Sequence, residues 1–191
     1  MAVQKGIDKW KLKRWFSILA PRIFNEAIIG EMPANDEKAA IGRNVVVSLD
    51  SLTHNPSHAY TNAVLKITEV NGESAKTKLI GIEQVPSYIR SFVRKYRSVS
   101  SVVVPVASKD GIRAVVKVIV VTRGRTAHTK IVGIRKEAED FTRLYFKENE
   151  ANAAISAIIE GKFQADLTTK IKHIADLNKV EVRKLELANA A

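Results

Sequence analysis

The dipeptide Asn71-Gly72 constrains the fold of this chain more than any other feature of the sequence. It joins two strand-like runs, residues 62–70 and residues 73–83. An Asn-Gly pair between such runs favours a two-residue type I′ turn, because both central residues of that turn adopt positive φ. The sequence therefore predicts an antiparallel hairpin here, and the other strands must fit a sheet built around it.

A second hairpin is predicted further along the chain. Residues 102–107 and 112–121 are apolar runs on either side of Lys109-Asp110-Gly111. In the second run the apolar residues occupy both alternating faces, which is typical of a strand that is buried on both sides. We therefore expect residues 112–121 to form a central strand of the sheet.

Between the hairpins, the sequence predicts a helix of about three turns that begins near Pro86. Ile89, Phe92, Val93 and Tyr96 recur at spacings of three and four residues, so they predict a buried stripe on this helix. Its remaining positions carry several bases without acidic partners. An ordinary solvated face is the alternative, although such a face usually carries oppositely charged i,i+4 pairs.

The last part of the chain predicts helices followed by one strand. Residues 129–178 are rich in helical periodicity, and residues 179–187 alternate as in a half-buried strand. Because a strand after helices must return to the sheet, we predict an α+β fold with a mostly antiparallel, barrel-like sheet, flanking helices and a helical C-terminal region that returns to a final strand. Residues 1–14 are then a basic N-terminal arm, and residues 15–191 a single domain.

Charge indicates which class of partner the chain suits. The chain carries 31 Lys and Arg against 20 Asp and Glu, a net charge of +11. The excess lies in residues 1–25, 61–100 and 101–136. Such clusters are typical of proteins that bind a polyanion, most often nucleic acid. A basic but otherwise ordinary cytosolic protein is the alternative that charge alone leaves open.

Three segments are predicted to bind RNA: the N-terminal arm, the helix after Pro86, and a Gly-containing basic loop after the second hairpin. The arm interleaves bases with aromatic rings, which can contact phosphates and stack on nucleobases. Trp10 is expected to be exposed, while Phe16, Ile18 and Ala20 are expected in the core. The candidate RNA-binding residues are Lys5, Lys9, Trp10, Lys11, Lys13, Arg14, Arg22, Arg43, Arg90, Arg94, Lys95, Arg97, Arg123, Arg125, His128, Lys130, Arg135 and Lys136.

The sequence argues against catalysis, a cofactor and a metal site. The chain has no cysteine, which excludes disulfides and Cys-based zinc sites and favours a reducing cytosol. His54 and His58 have a metal-like spacing, but Pro56 argues against a helix through both. No Walker-type loop and no Gly-x-Ser-x-Gly elbow occurs. Its apolar runs are too short to cross a bilayer, so we expect a cytoplasmic protein with no membrane partner.

An ordered set of short motifs resembles one known family. These motifs are Trp15-Phe16 with Ala20-Pro21 and Phe24; Ile41-Gly42-Arg43 leading to Val47-Ser48-Leu49-Asp50-Ser51-Leu52-Thr53; Lys66 through Val70-Asn71-Gly72; Gly81-Ile82-Glu83; Tyr88-Ile89-Arg90-Ser91 with Val93-Arg94 and Ser98; Lys109-Asp110-Gly111; Thr122 and Arg125; and Ile134-Arg135-Lys136. In this order and spacing they resemble the archaeal and eukaryotic small-ribosomal-subunit proteins of the S-three-A type.

This resemblance implies a non-enzymatic structural component of the small ribosomal subunit, of archaeal type, in the cytoplasm. It implies binding to small-subunit rRNA on the platform, near the mRNA exit and beside neighbouring small-subunit proteins. The mRNA near the exit is a further candidate partner. A ribosome-associated RNA chaperone or translation regulator with the same surface is the alternative function.

Overall fold

The structure of this chain, a computed structural model, describes Trp10 and residues 13–187. Strands and helices are interleaved in the first two thirds of the chain, and three helices precede the last strand. The elements are β1 Arg14–Leu19, β2 Ile28–Ala34, α1 Glu37–Ala40, β3 Asn44–Ser48, α2 Leu49–Thr53, β4 Thr61–Asn71, β5 Ser74–Gln84, α3 Pro86–Phe92, β6 Val99–Ala107, β7 Arg113–Thr122, α4 His128–Glu148, α5 Ala151–Ile159, α6 Lys162–Ile171 and β8 Leu177–Leu187.

The eight described strands form one mixed sheet with the order β2-β1-β5-β8-β7-β6, while β4 pairs with β5 and β3 pairs with β4. Among these strands six pairings are antiparallel and one, between β1 and β5, is parallel. The predicted α+β class is confirmed. Within the described residues the sheet does not close, so the barrel-like expectation is corrected to an open sheet. The sheet branches at β5, because the first residues of one β5 edge pair with β1 and later residues of the same edge pair with β8.

The first hairpin is confirmed, but its turn differs from the predicted type. Asn71 pairs with Ser74, so the two loop residues are Gly72 and Glu73. Gly72 has a φ of 61°, while Asn71 and Glu73 do not have positive φ. A glycine with positive φ in the first loop position is typical of a type II′ turn. The type I′ prediction was wrong because Asn71 extends the strand ladder instead of entering the turn.

The second hairpin and its central strand are confirmed. Strand β7 lies between β6 and β8, and both of its faces are buried. Val116 and Val118 face a large core that also contains Ile134 and Phe163 from the C-terminal helices. On the opposite face, Ile119 packs in a smaller cluster with Val121 and Phe92. The helices α4 to α6 therefore cover one face of the second half of the sheet.

Helix α3 is shorter than the predicted three turns, and this difference shapes the surface described below. The helix ends at Phe92, and Val93 already has extended backbone angles. The predicted stripe is confirmed for three residues: Phe92 is buried against Ile119 and Val121 of β7, and Ile89 and Val93 are partly buried beside it. Tyr96 is not buried, because the chain has to turn before it enters β6; its side chain is 62% exposed.

Strand β8 lies between the two hairpins in the sheet, pairing with β7 on one side and making one close contact with β5 on the other. Gly81, Ile82 and Glu83 of β5 pair with residues 184–186 of β8. A Cβ atom on Gly81 would lie 2.3 Å from the backbone carbonyl oxygen of Leu185, which is well inside van der Waals contact. Only a glycine therefore allows the two backbones to approach this closely.

Charged side chains bridge the strands at the same junction. Lys184 forms ion pairs with Glu186 at 2.9 Å and with Glu83 at 3.4 Å, and Lys117 of β7 reaches Glu186 at 3.1 Å. The hydrogen bonds from Lys184 and Lys117 hold the pKa of the Glu186 carboxyl below its ordinary value. The hydrogen bond to Glu186 likewise raises the pKa of Lys184. These bases are neutralised by neighbouring carboxylates.

We expect Gly81→Ala to lower the free energy of unfolding by about 1–3 kcal/mol, because the added methyl group forces β8 away from β5. Urea denaturation of the full chain measures this loss. The matched control is Gly30→Ala in β2, where an added Cβ meets nothing within 4 Å. Equal effects of the two substitutions would show that the close approach at Gly81 is not what limits this position.

Candidate nucleic-acid interface

Two loops meet at one end of the second hairpin. Residues 93–98 lead from α3 into β6, and residues 123–127 lead from β7 into α4. The backbone N–H of Ser98 donates to the carbonyl of Gly124 at 3.4 Å, and the N–H of Thr126 donates to the Ser98 hydroxyl at 3.0 Å. We call this surface, residues 93–98 and 123–130 with Asp176, the basic corner.

A buried threonine fixes the two loops against each other. Thr122, the last residue of β7, is 2% exposed. Its hydroxyl accepts a hydrogen bond from the Ser98 N–H at 3.1 Å and donates to the Gly124 carbonyl at 2.7 Å. The loops are therefore held in place by hydrogen bonds within the protein. A ligand that binds here does not have to order them, which reduces the entropy lost on binding.

The basic corner carries six bases and one acid. Two of the arginines are oriented by their own turn: Arg94 donates from Nε to the Ser91 carbonyl at 2.9 Å, and Arg97 donates from Nη1 to the Phe92 carbonyl at 2.9 Å. A guanidinium has five N–H donors, so each arginine keeps donors for an anion. The six bases are Arg94, Lys95, Arg97, Arg123, Arg125 and Lys130.

The start of α4 adds backbone donors to this charge. The first turn of α4 contains no acidic residue, and Ala127 at the N-cap position makes no side-chain capping bond. The first N–H groups of a helix have no partner within the helix, and its dipole favours an anion there. A cavity of about 500 Å³ beside this turn is lined by Arg123, Arg125, Lys130 and Asp176, among others.

Asp176 positions one of the arginines. The backbone N–H of Arg123 donates to the Asp176 carbonyl at 3.0 Å, and its guanidinium lies 3.5 Å from the carboxylate. Both side chains are largely exposed, so this ion pair contributes little to stability. Its geometric effect is to tie the segment before β8 to the loop after β7. The segment before β8 thereby supplies part of the basic corner.

Tyr96 projects from the basic corner with an unusual backbone. It lies in a turn that is closed by the Arg97 N–H donating to the Arg94 carbonyl at 3.3 Å, and its φ is 68°. Positive φ in the third position of a turn ordinarily selects glycine or asparagine. Lys95 Nζ lies 5.1 Å and Arg125 Cζ 5.4 Å from the centre of the Tyr96 ring.

Tyr96 is the residue that the sequence analysis missed, since its spacing from Phe92 suggested a buried position. A second signal was present in the sequence. Tyr96 stands between Lys95 and Arg97, which is the same base–aromatic–base pattern that predicted an exposed Trp10. That prediction for Trp10 is confirmed, because its side chain is 58% exposed.

Other predicted residues, together with Trp15, form a second surface at the start of β1. Lys13 Nζ lies 4.2 Å from the centre of the Trp10 ring, and Trp10 packs edge-on against the exposed Trp15 at 6.5 Å. Arg43 donates from Nη1 to the carbonyl of Pro33, which is the β2 partner of Trp15. We call this set, Trp10, Lys13, Arg14, Trp15 and Arg43, the aromatic surface.

The remaining candidates are dispersed around or away from these two surfaces. His128 is the first residue of α4 and belongs to the basic corner, and Arg90 is exposed on α3. Two turns further along α4, Arg135 donates to the Ser100 hydroxyl at 3.3 Å and Lys136 is exposed. Arg22 lies apart and pairs with Glu26 at 3.4 Å. Lys5, Lys9 and Lys11 fall outside the described residues.

The described residues do not assemble a metal centre. Among them, no group of three or more His, Cys, Asp or Glu side chains is placed to hold a metal ion. His58 instead lies with Nδ1 2.9 Å from the Thr53 hydroxyl. In the part of the chain that the structure describes, no helix is both long and apolar enough to cross a membrane.

The fold and the basic corner define a class of protein: a basic α+β protein with cations, the uncapped start of a helix and an exposed aromatic ring on one surface. Sequence comparison gives the family. The chain belongs to the Ribosomal S3Ae family, whose model matches residues 1–191. This confirms the resemblance noted from the short motifs.

Three archaeal relatives, each a small ribosomal subunit protein eS1, are similar over most of their length. That of Sulfolobus acidocaldarius is 37% identical, covering 96% of this chain and 93% of that protein. That of Sulfurisphaera tokodaii is 34% identical, covering 96% and 95%. That of Methanothrix thermoacetophila is 33% identical, covering 96% and 87%. The family and relatives are named as ribosomal proteins and not as enzymes, which agrees with the prediction that this chain is not an enzyme.

We expect Tyr96→Gly to raise the free energy of unfolding by about 1 kcal/mol, because glycine adopts positive φ without the clash of a Cβ atom. Urea denaturation measures the gain. Lys95→Gly in the same turn is the control; Lys95 is not among the residues with positive φ, so its replacement should lower stability or leave it unchanged. A loss of stability in both variants would contradict the assignment of backbone strain to Tyr96.

Proposed function

We propose that this chain is a structural component of the small ribosomal subunit in the cytoplasm, and that it holds small-subunit rRNA mainly through phosphates at the basic corner. The ribosomal part of the proposal is supported by the family and by the names of the relatives. The single observation that supports the rRNA contact is the convergence of six bases with the uncapped start of α4.

The mechanism is neutralisation of phosphates by cations that are already in position. Arg94 and Arg97 are oriented by hydrogen bonds to the backbone carbonyls of Ser91 and Phe92, and the loop that carries them is held against the neighbouring loop by Thr122. Each phosphate that is neutralised releases counterions, which makes binding favourable and strongly dependent on salt. Contacts of this kind read the shape and spacing of the RNA backbone rather than its sequence.

The contrast with another charged surface supports this choice of site. On the outer face of the sheet, Lys117 and Lys184 are paired with Glu83 and Glu186. Those cations already have partners, so a phosphate would have to displace a carboxylate. At the basic corner the six bases face a single acid. An approaching phosphate therefore meets an uncompensated positive field there.

The place within the subunit rests on the family resemblance alone. We propose the platform near the mRNA exit, with neighbouring small-subunit proteins of the platform and the mRNA near the exit as further contacts. The aromatic surface, with Trp10, Lys13 and Arg43, is a second candidate for RNA contact, because it combines exposed rings with bases.

We expect the chain to co-sediment with the small subunit in stoichiometric amount and to remain bound after a wash at moderate salt. A sucrose-gradient profile of native lysate, with and without the wash, measures this. A core ribosomal protein stays bound because it makes many contacts with the subunit at once. If the chain remained at the top of the gradient or were washed off easily, the alternative of a ribosome-associated RNA chaperone or translation regulator would replace the proposal.

We expect the double substitution Lys95→Gln with Lys130→Gln to weaken binding to purified small-subunit rRNA and to flatten its salt dependence. Each phosphate contact that is lost should reduce the slope of log K against log salt by about 0.9 for duplex regions. Filter binding over a series of salt concentrations measures the slope.

The matched control is Lys109→Gln with Lys147→Gln, which removes the same charge at the opposite ends of the second hairpin and of α4. Helix α4 has 21 residues, so these positions lie about 30 Å from the basic corner. Equal reductions of the slope in both double variants would show that the basic corner is not the principal phosphate site.

A further inference from the structure

We propose that Tyr96 holds an unpaired RNA base by stacking, so that the basic corner binds single-stranded nucleotides and not only the phosphates of a duplex. This inference rests on the proposed function and makes it more specific. It adds a residue that the sequence analysis did not assign to binding, and it names the chemical class of the ligand: an unstacked nucleobase flanked by phosphates.

The exposure of the Tyr96 ring is built into the fold. The ring is 62% exposed. The backbone of Tyr96 has a positive φ, which residues other than glycine rarely adopt. The turn that imposes this backbone is closed by the hydrogen bond from Arg97 to Arg94 and by the guanidinium of Arg97 on the Phe92 carbonyl. Strained residues that persist in this way cluster at binding and catalytic sites.

The surroundings of the ring suit a nucleotide. Lys95 and Arg125 each approach the ring from a different loop, at 5.1 and 5.4 Å, and together they leave most of it exposed. Both side chains are long and flexible, so they can bind the phosphates on either side of a base that lies on the ring. An aromatic ring with cations beside it is the arrangement by which proteins hold single-stranded nucleic acid.

The geometry favours an unpaired base over a duplex. In an A-form helix the faces of the bases are covered by their neighbours, so a ring cannot stack on them. A tyrosine that projects from a rigid turn can reach a base only where the RNA is unstacked, as in a loop, a bulge or a strand end. The phosphate contacts alone would accept either form of RNA.

A second exposed tyrosine provides a comparison within the same chain. Tyr60 is 55% exposed, close to the value for Tyr96. Its ring already stacks on Tyr88 at 4.9 Å with an interplanar angle of 8°, and it lines a cavity together with Glu160 and Glu181. One face of Tyr60 is occupied and two carboxylates line its cavity, so it lacks the features from which we infer a nucleotide site at Tyr96.

The experiment measures the binding of two RNA probes to the full chain. One probe is a short unstructured RNA that carries 2-aminopurine at its centre; the other is a blunt duplex of the same length. Stacking on Tyr96 should quench 2-aminopurine fluorescence on binding. Tyr96→Leu should lose this quenching and weaken binding of the single strand about 5- to 150-fold, while the affinity for the duplex stays unchanged.

Two further variants make the result specific to stacking. Tyr96→Phe keeps the ring and should keep both the quenching and the affinity. Tyr60→Leu makes the same change at the comparison position and should leave both unchanged. Circular dichroism and urea denaturation of every variant verify that each is folded under the conditions of binding.

Three outcomes would overturn the inference. If Tyr96→Leu bound the single strand as the unmodified chain does, while the Lys95→Gln and Lys130→Gln variant lost affinity, Tyr96 would not hold a base and the proposed function would stand. If Tyr96→Leu weakened single strand and duplex equally, its role would lie in shaping the corner and not in stacking. If the unmodified chain bound neither RNA, the proposed function would fail together with the inference.

Discussion

The close approach of β5 and β8 at Gly81 is the contact on which the rest of the structure depends. Within the described residues, three backbone pairs between β5 and β8 continue the sheet from the first hairpin to the strand beside β7, and they require that no side chain separate Gly81 from Leu185. Strand β8 then runs back along β7 to Leu177, and Asp176 just before it reaches Arg123. Strand β8 therefore links the two halves of the sheet, and the residue just before it contributes to the basic corner.

The basic corner combines rigidity with strain. Thr122 is buried, and its hydroxyl is hydrogen-bonded to both loops. Breaking these bonds would leave buried polar groups without partners, which costs free energy. In the loop that Thr122 holds, Tyr96 has a positive φ that non-glycine residues seldom adopt. The positive φ of Tyr96 lowers the stability of the protein locally. In return, the ring and its neighbouring cations are held in a defined position. Such an exchange is expected at a binding site.

Local patterns predicted the elements, and non-local contacts decided what they build. Both hairpins, the central strand β7 and the return of β8 followed from alternation and turn residues, which depend on near neighbours in the chain. The pairing of one β5 edge with both β1 and β8 could not be predicted from the sequence, because it depends on residues far apart in the chain. The bases of the two loops were predicted separately. Their meeting follows from the pairing of Val99 with Val121, a register that the sequence did not reveal.

The two RNA-binding candidates lie at opposite ends of β5, and this placement bears on how the chain would act. Strand β1 is parallel to β5, so the aromatic surface lies before the start of β5, while α3 leads from the end of β5 to the basic corner. An 11-residue strand spans about 35 Å. Under the proposed function, cations at both ends meet different segments of RNA. Two contacts on one rigid body strengthen overall binding, because formation of the first raises the effective concentration of RNA at the second. The sheet is then a spacer that fixes the distance between two RNA segments, which is a structural role and needs no catalytic group.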